Sequence, residues 1–580
     1  MNNIYFDLLK RWGEGLLAHQ IQEGEEAFKG GFLCPSCKMI HGRTPDAIYP
    51  LGVLYKKTGD VRYLKGAKLA FAYGKQLECP DGSLYNDAQA AWPYTTVFLT
   101  IAVFESLNSF GDLLDEEFHF SMLEQAKRMS NWLYENLDEH SRPNINYCTT
   151  NAYAMQLAGQ YLNEPRYLER SRHLFDYSLA HFSESGFFYG ESKNHDAISK
   201  KGCRSIDMGY DLEESIPALV KCAFLLKDEK AIAFLHDRLM DNAPFFLPDG
   251  GLDNTFGVRN NKWTYYGSRT SDGISPAFLL FAPQEPLFQE VAYRNTELLG
   301  RCTVDGLLAG GPDYEKQGEY PCIHHTFEHA NAIAFDVDEI EERYLLKTDE
   351  KLITETEFNR YYPECDLYRV SKGSYLMDVT GFDFDIPFSA HASGGALTML
   401  YGPNGPMVMG SVIDYFPLPE PTNQQLPHDP ATHRPLLPRL AIDGYSSTYD
   451  GEAKIEKIEE EGMVILKVDG GFATREGKKL EAKHHTEYRL SGDGLSIDIQ
   501  AEEGATYILP LIQGHLKIHQ GKLIQKEEIF YLTGGFQGEL QDVCVIPSRI
   551  APPFQTLNPI SFFSSSLISS MNLAGLALRL

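Results

Sequence analysis

The sequence predicts a two-domain protein, an N-terminal (α/α) toroid followed by a C-terminal antiparallel β-sandwich. The chain has 580 residues, well past the size at which a single hydrophobic core stops growing. From residue 45 to about 330, apolar residues recur at three- and four-residue spacing between short polar breaks, the signature of packed helices. Near residue 365 this gives way to short alternating segments separated by Gly, Asn and Asp turns, as strands require. The expected boundaries are a toroid of six or seven helical pairs over 1–340, a connection over 341–365 and a sandwich over 366–580.

The helical part has a repeating grammar. Residues 47–55 read as one helix, Thr58-Gly59-Asp60 as a turn, and Arg62-Tyr63-Leu64 as the opening of a second helix that ends at Leu77. Residues 152–162, Asn163-Glu164-Pro165 and Arg166-Tyr167-Leu168 repeat the pattern, so each unit is an αα-hairpin. A second mark closes the hairpins, at Pro80-Asp81-Gly82, Ser185-Gly186, Pro248-Asp249-Gly250 and Val304-Asp305-Gly306, where glycine supplies the freedom needed after a helix. If the first interval spans two units, the period is that of hairpins stacked around an axis. In the β-rich part, 375–380, 463–468 and 495–499 read as strands, and their number favours a sandwich over a parallel sheet. The acidic run 336–360 reads as a solvated connection.

Composition narrows the function. Hydrophobic residues at 43% and charged residues at 23% are ordinary globular values. The net charge of −28 repels nucleic acid and anionic membranes, so neither is an expected partner. An anionic sugar is compatible with it where basic residues gather, as at Lys193, Lys200, Lys201 and Arg204, and again at Arg259, Lys262 and Arg269. There is no run of about 18 apolar residues and no secretory stretch at the N-terminus. A cytoplasmic location is therefore expected, or a secreted or periplasmic one if a leader has been removed. Ten cysteines are scattered along the chain, and only Cys34 and Cys37 form a close pair, so no disulfide framework is expected. Cys34-Pro-Ser-Cys37 with His41 looks like half of a zinc site, but no second CxxC completes it, and a loop thiol pair is the competing reading.

Several constellations could carry chemistry. The stretch 260–272, NNKWTYYGSRTSD, is too polar and aromatic for a core helix, and Trp263, Tyr265, Tyr266 and Arg269 within it suit a sugar ring and its carboxylate. Asp207-Met-Gly-Tyr210-Asp-Leu-Glu213-Glu214 opens a helix, and its acids either serve the helix dipole or face a cleft together with Tyr210. His325 and His329 share a helical face, but no HExxH arrangement supports a zincin, so His325 either binds substrate or satisfies backbone groups. In the β-rich part, His391, Asp414 and His433 are nitrogen and oxygen groups of the kind that hold zinc or manganese.

These residues, with Cys34-Pro-Ser-Cys37…His41-Gly-Arg43-Thr-Pro-Asp46 and the segment 209–215, resemble the heparinase II/III-like polysaccharide lyases over nearly the whole chain. The resemblance implies β-elimination of a uronate-containing polysaccharide, such as a glycosaminoglycan. A toroid tyrosine, Tyr266, Tyr265 or Tyr210, would act with a histidine, and one largely structural divalent metal, zinc or manganese, would sit on His391, Asp414 and His433. One departure is that His391 would have to be both catalytic histidine and metal ligand, a vacancy His325 or Tyr210 could fill. Chemistry adds that removing the uronate C5 proton requires the adjacent carboxylate to be neutralised, with Asn151 and Arg269 as candidates. His41, Arg43, Glu214, Trp263, Arg204, Arg259, Lys262 and His325 are expected to bind substrate, with the basic residues lining a cleft between the two domains. A glycoside hydrolase using Asp207, Asp211, Glu213, Glu214 or Asp272, or a non-catalytic glycan binder, are the rival functions.

Overall fold

The computed structural model describes residues 3–36, 38–86, 92–141, 143–259, 263–268, 272–312, 320–384, 392–403, 405–410, 437–502, 504–512, 517–519, 522–525, 528–539 and 557–574. Its helices alternate between two kinds. Those of the first kind are α2 (Ile48–Thr58), α4 (Thr96–Phe110), α6 (Asn146–Leu162), α9 (Ile216–Leu226), α11 (Ser275–Phe281) and α13 (Ile323–Glu339). They are buried on nearly every side, as the predominantly apolar sequence of α4 favours. Those of the second kind are α1 (Ile4–His19), α3 (Val61–Gln76), α5 (Glu116–Asn136), α7 (Pro165–Leu179), α10 (Glu229–Asn242) and α12 (Pro286–Arg301), which bury a stripe and expose the rest. Each buried helix packs on the next, α2 on α4, α4 on α6, α6 on α9, α9 on α11, α11 on α13, and α13 back on α2. The result is a closed inner ring with six outer helices, in which α1 serves as the outer partner of α13.

The expected turn grammar is visible in atomic detail. Gly59 takes φ 72° as the cap of α2, and the Asp60 carboxylate accepts the Arg62 N–H at the start of α3. At the equivalent place Asn163 is left-handed and Pro165 opens α7. Gly82, Gly186, Gly250 and Gly306 all lie at positive φ. Each sits in a tight turn closed by a bridge, Glu78 to Leu84, Phe182 to Phe188, Phe246 to Leu252, or the pair β3 (Thr303–Val304) and β4 (Leu307–Leu308). The unit without such a glycine turns instead through residues 138–141, where the Ser141 N–H donates to the Asp138 carbonyl.

Past the toroid, β5 (Phe358–Tyr362), β6 (Leu367–Lys372), β7 (Tyr375–Thr380), β8 (Ala396–Gly402) and β9 (Gly405–Met409) form one antiparallel sheet. A larger antiparallel sheet begins with β10 (Arg439–Ile442), β11 (Tyr445–Ser446) and β12 (Lys454–Glu460). It continues through β13 (Met463–Ala473), β14 (Lys479–Ser491) and β15 (Gly494–Ala501). Side chains of both sheets, among them Val370, Met377 and Leu400 against Leu466, Leu490 and Ile497, share one core, as two stacked sheets must. The acidic run 336–360 is not simply a solvated connection. Asp336 and Asp338 belong to α13, Asp336 is fully buried and accepts from the Ser275 hydroxyl, and β5 already begins within this stretch. Toroid and sandwich are joined by Arg369 of β6, which is fully buried. It donates to Asp253 of the toroid at 2.5 Å, to the Pro244 carbonyl at 3.0 Å and to Asp378.

Candidate active site

The site begins with a helix that cannot be regular. Met208–Tyr210 forms one α-turn (α8), capped by Asp207, and Asp211–Ser215 then widens into a π-turn before α9. Pro217 has no N–H, so the Glu213 carbonyl four residues earlier loses its helical donor. The Gly273 N–H replaces it at 3.0 Å, while the Ile216 N–H reaches back five residues to Asp211. The widened turn directs Tyr210, Glu213 and Glu214 inward together, and all three are buried. Turns of this kind are frequent at functional sites.

Below it lies a buried proton network. Tyr265 and Tyr266 are the two turn residues between β1 (Trp263–Thr264) and β2 (Gly267–Ser268). The Tyr266 hydroxyl lies 3.1 Å from His325 Nδ1, and its ring meets His329 edge-on at 5.0 Å. His329 Nδ1 is 2.9 Å from the His325 carbonyl, which only accepts, so that nitrogen carries a proton. Its Nε2 faces Glu213 Oε1 at 3.2 Å, and the Ser268 N–H donates to the other carboxylate oxygen at 2.6 Å. Burial raises the Glu213 carboxyl, with His329 opposing. A Cβ on Gly267 would sit 1.8 Å from Glu213 Oε1, so only glycine admits this carboxylate.

The upper layer is acidic. Arg43 pairs with Glu328 at 2.6 Å and Asp46 at 2.9 Å, has Asp272 at 3.7 Å, and lies over the Phe98 ring at 3.6 Å. His324 stands 3.0 Å from Glu328, stacks on Phe327 and meets the His41 ring edge-on at 4.9 Å. Glu214 accepts from the Asn146 amide at 2.5 Å. Burial, reinforced by the charge of Asp272, pushes the Glu214 carboxyl up to about 8. Burial also lifts Asp46 to about 7 despite Arg43. Arg43, Asp46, Glu214 and Asp272 open onto an axial cavity shared with Glu105 and Lys221. Nearby, Tyr147 accepts from the Trp92 indole N–H at 2.7 Å, Tyr94 packs on Trp92, and Trp92 is 41% exposed.

The structure thus brings together Tyr266 with His325, and Arg43 with Glu214 around one cavity. Other expectations change. Tyr265 turns its hydroxyl away to Asp249 at 2.6 Å. Asn151 is fully buried and donates to the Leu137 carbonyl at 2.8 Å, so the amide beside a cavity carboxylate is that of Asn146. Arg259 does not offer free charge to a cleft between the domains: it pairs with Asp207 at 2.9 Å and with Glu191, its guanidinium 4.3 Å from the Tyr210 ring. Arg204 donates to the Asp196 carbonyl, stacks on Tyr189, and through its N–H holds Glu364 at the seam. Trp263 belongs to β1. Lys262, Arg269, His391, Asp414 and His433 lie outside the described residues. Sequence reasoning missed Asn146, Tyr147, Trp92, Glu328 and His324 as site residues. Pro217 was the available signal for the π-turn.

Comparison with known proteins agrees with this picture. Residues 9–355 match the family model of the ulvan lyase N-terminal domain, and 359–529 that of the ulvan lyase C-terminal domain. The chain is 30% identical over 529 residues to a broad-specificity ulvan lyase of Formosa agariphila, spanning 88% of this chain and 82% of that protein. In fold it is similar to a mutant chondroitin AC lyase from Streptomyces coelicolor A3, with TM-score 0.54 and 12% identity over 99% of this chain and 80% of that one. It is also similar to a mutant heparan sulfate lyase from Pedobacter heparinus, with TM-score 0.50 and 9% identity over 98% of this chain and 84% of that one. Among the described residues no helix is long and apolar enough to cross a membrane. The chain is a polysaccharide lyase and belongs to the ulvan lyase family.

Proposed function

We propose that the chain cleaves ulvan, or a closely related uronate polysaccharide, by β-elimination in the axial cavity. The observation that carries this reading is Glu214. Held by Asn146 and lifted to about 8, it is protonated at neutral pH and donates a hydrogen bond to an incoming carboxylate that an ionised acid would repel. Asn146 and Glu214 together neutralise the uronate carboxylate, which makes the C5 proton removable. Tyr210, buried beside this carboxylate cluster with the Arg259 guanidinium 4.3 Å from its ring, takes that proton. As the C5–H bond breaks, the electron pair forms the C4–C5 double bond, the C4–O4 bond breaks, and Tyr210 returns the proton it took from C5 to the departing O4. Tyr266 and His325 are hydrogen-bonded to each other behind the helix. Trp92 and Tyr94, packed edge-on, offer aromatic surface for sugar rings.

His391, Asp414 and His433 are proposed to hold one structural zinc or manganese ion in the sandwich, and metal analysis of a His433→Ala, Asp414→Ala double variant tests that set. For the reaction, the protein is incubated with ulvan and with glycosaminoglycans, and the far-ultraviolet absorbance of a conjugated double bond is followed. Ulvan is expected to yield that absorbance. New reducing ends without it indicate a hydrolase, and neither signal indicates a binder; both overturn the proposal. Tyr210→Phe is expected to abolish turnover with the fold intact, and a fully active Tyr210→Phe would transfer the base to Tyr266.

A further inference from the structure

Cys34 and Cys322 are 288 positions apart in sequence and meet where the toroid closes. Cys34 sits in a tight turn, its N–H donating to the Met39 carbonyl at 2.9 Å and its carbonyl accepting the Lys38 N–H at 3.0 Å, with Lys38 held at φ 59°. Cys322 is the residue on which α13 begins, and its N–H is fixed by the Leu308 carbonyl at 2.9 Å. His41 completes the group. All three are buried, and Cys34 Sγ, Cys322 Sγ and a His41 ring nitrogen lie within 4.8 Å of one another.

We propose that Cys34, His41 and Cys322 bind a zinc ion that locks the ring closed. The sulfur separation argues for this over a disulfide. The two Sγ atoms are 3.7 Å apart, whereas a disulfide requires about 2.0 Å. Two thiolates on a tetrahedral zinc, each at about 2.3 Å, are separated by roughly 3.8 Å. Two sulfurs and an imidazole nitrogen are a soft donor set that favours zinc over manganese, magnesium or calcium.

The ion also reaches the cavity wall through packing. Ligation fixes the ring of His41, which meets His324, which faces Glu328, the partner of Arg43. The Thr44 hydroxyl donates to the His41 carbonyl at 2.9 Å, so the turn delivering Arg43 and Asp46 starts from the metal ligand itself. His41 is then a positioning residue that holds the cavity in shape, and the inference stands whether or not ulvan is the substrate.

The test uses the full chain purified without added metal. Elemental analysis is expected to find zinc that is released by an organomercurial and read with a chromogenic chelator. After exchange into cobalt(II), a near-ultraviolet sulfur-to-cobalt charge-transfer band is expected, which a histidine and carboxylate site in the sandwich cannot produce. Cys34→Ser and Cys322→Ser are each expected to lose the band and one equivalent of zinc, and chelation of the wild type to lower its melting temperature. Because the wild-type cobalt spectrum needs no variant, misfolding of the serine variants leaves the test intact. Absence of the band, or zinc unchanged in a folded Cys322→Ser, overturns the proposal. So does a titration of the denatured, unreduced protein that finds two fewer free thiols than the ten in the sequence.

Discussion

Replacing Glu214 by glutamine fixes in the neutral form a group that the fold already holds neutral. Its carboxyl ionises near 4.5 when free and at about 8 in the folded chain, burial being the main cause and Asp272 the second. At about 1.4 kcal/mol per pH unit, that difference sets a ceiling of roughly 5 kcal/mol on the preference for the protonated form. The sign follows from linkage. The contribution to stability is full below about 4.5 and is lost as pH rises through about 8, since the unfolded chain releases the proton first. The Glu214→Gln variant has no such slope, and its amide can still accept from Asn146 and donate to a substrate carboxylate. At about pH 5 the variant and wild type should therefore melt alike, and at about pH 8.5 the variant should be the more stable. In initial-rate measurements by double-bond absorbance, wild-type KM is expected to climb as pH passes about 8, while that of Glu214→Gln stays flat. An alkaline rise in KM that survives unchanged in the variant, or a variant inactive at about pH 6, refutes the role of the neutral acid.

Other substitutions probe the supporting structure. Gly267→Ala places a methyl 1.8 Å from Glu213 Oε1, and is expected to lower kcat by tenfold or more together with the melting temperature; full activity would show that the Glu213–His329 contact is dispensable. Pro217→Ala restores an N–H that competes with Gly273 for the Glu213 carbonyl, so it should reduce kcat with little change in melting temperature, and an unchanged kcat would free the π-turn of any role. Arg369→Met strands Asp253 and Asp378 in the buried seam, at an expected cost of about 3–5 kcal/mol. Denaturant unfolding reads that cost, and a loss under about 1 kcal/mol would mean that the seam does not depend on the charge.

The features legible in sequence were those written in local pattern. Gly59-Asp60, Asn163-Pro165 and the four glycine turns announce helix ends through backbone chemistry alone, and 375–380 is a strand as read, though it is buried at every position rather than on alternate ones. The π-turn was half legible, because Pro217 removes a donor, but only the structure shows that Gly273 supplies the replacement. What pattern could not convey was partnership. Arg43 meets Glu328 and Asp272 because ring closure brings α13 and the loop before α11 against the turn that precedes α2. The expectation of a positive cleft failed at Arg259 for the same reason, since its partners Glu191 and Asp207 are remote in sequence and cancel its charge.

The pairing of α1 with α13 also sets a timetable for synthesis. Tyr5, Leu8, Leu9, Trp12 and Leu16 of α1 are buried in the finished ring, and the helix that covers them ends about 320 residues after His19. At roughly 5–20 residues per second, α1 leaves the ribosome some 16–64 s before its outer-ring position can be completed. The hairpins from α2 to α12 can dock on one another in order of emergence, whereas α1, made before them, is among the last of the toroid helices to be enclosed. Its apolar stripe needs shelter in the meantime, from provisional packing on α2 and α3 or from a chaperone. Slowed translation late in the toroid would therefore aggravate aggregation of this protein more than the same delay within the sandwich.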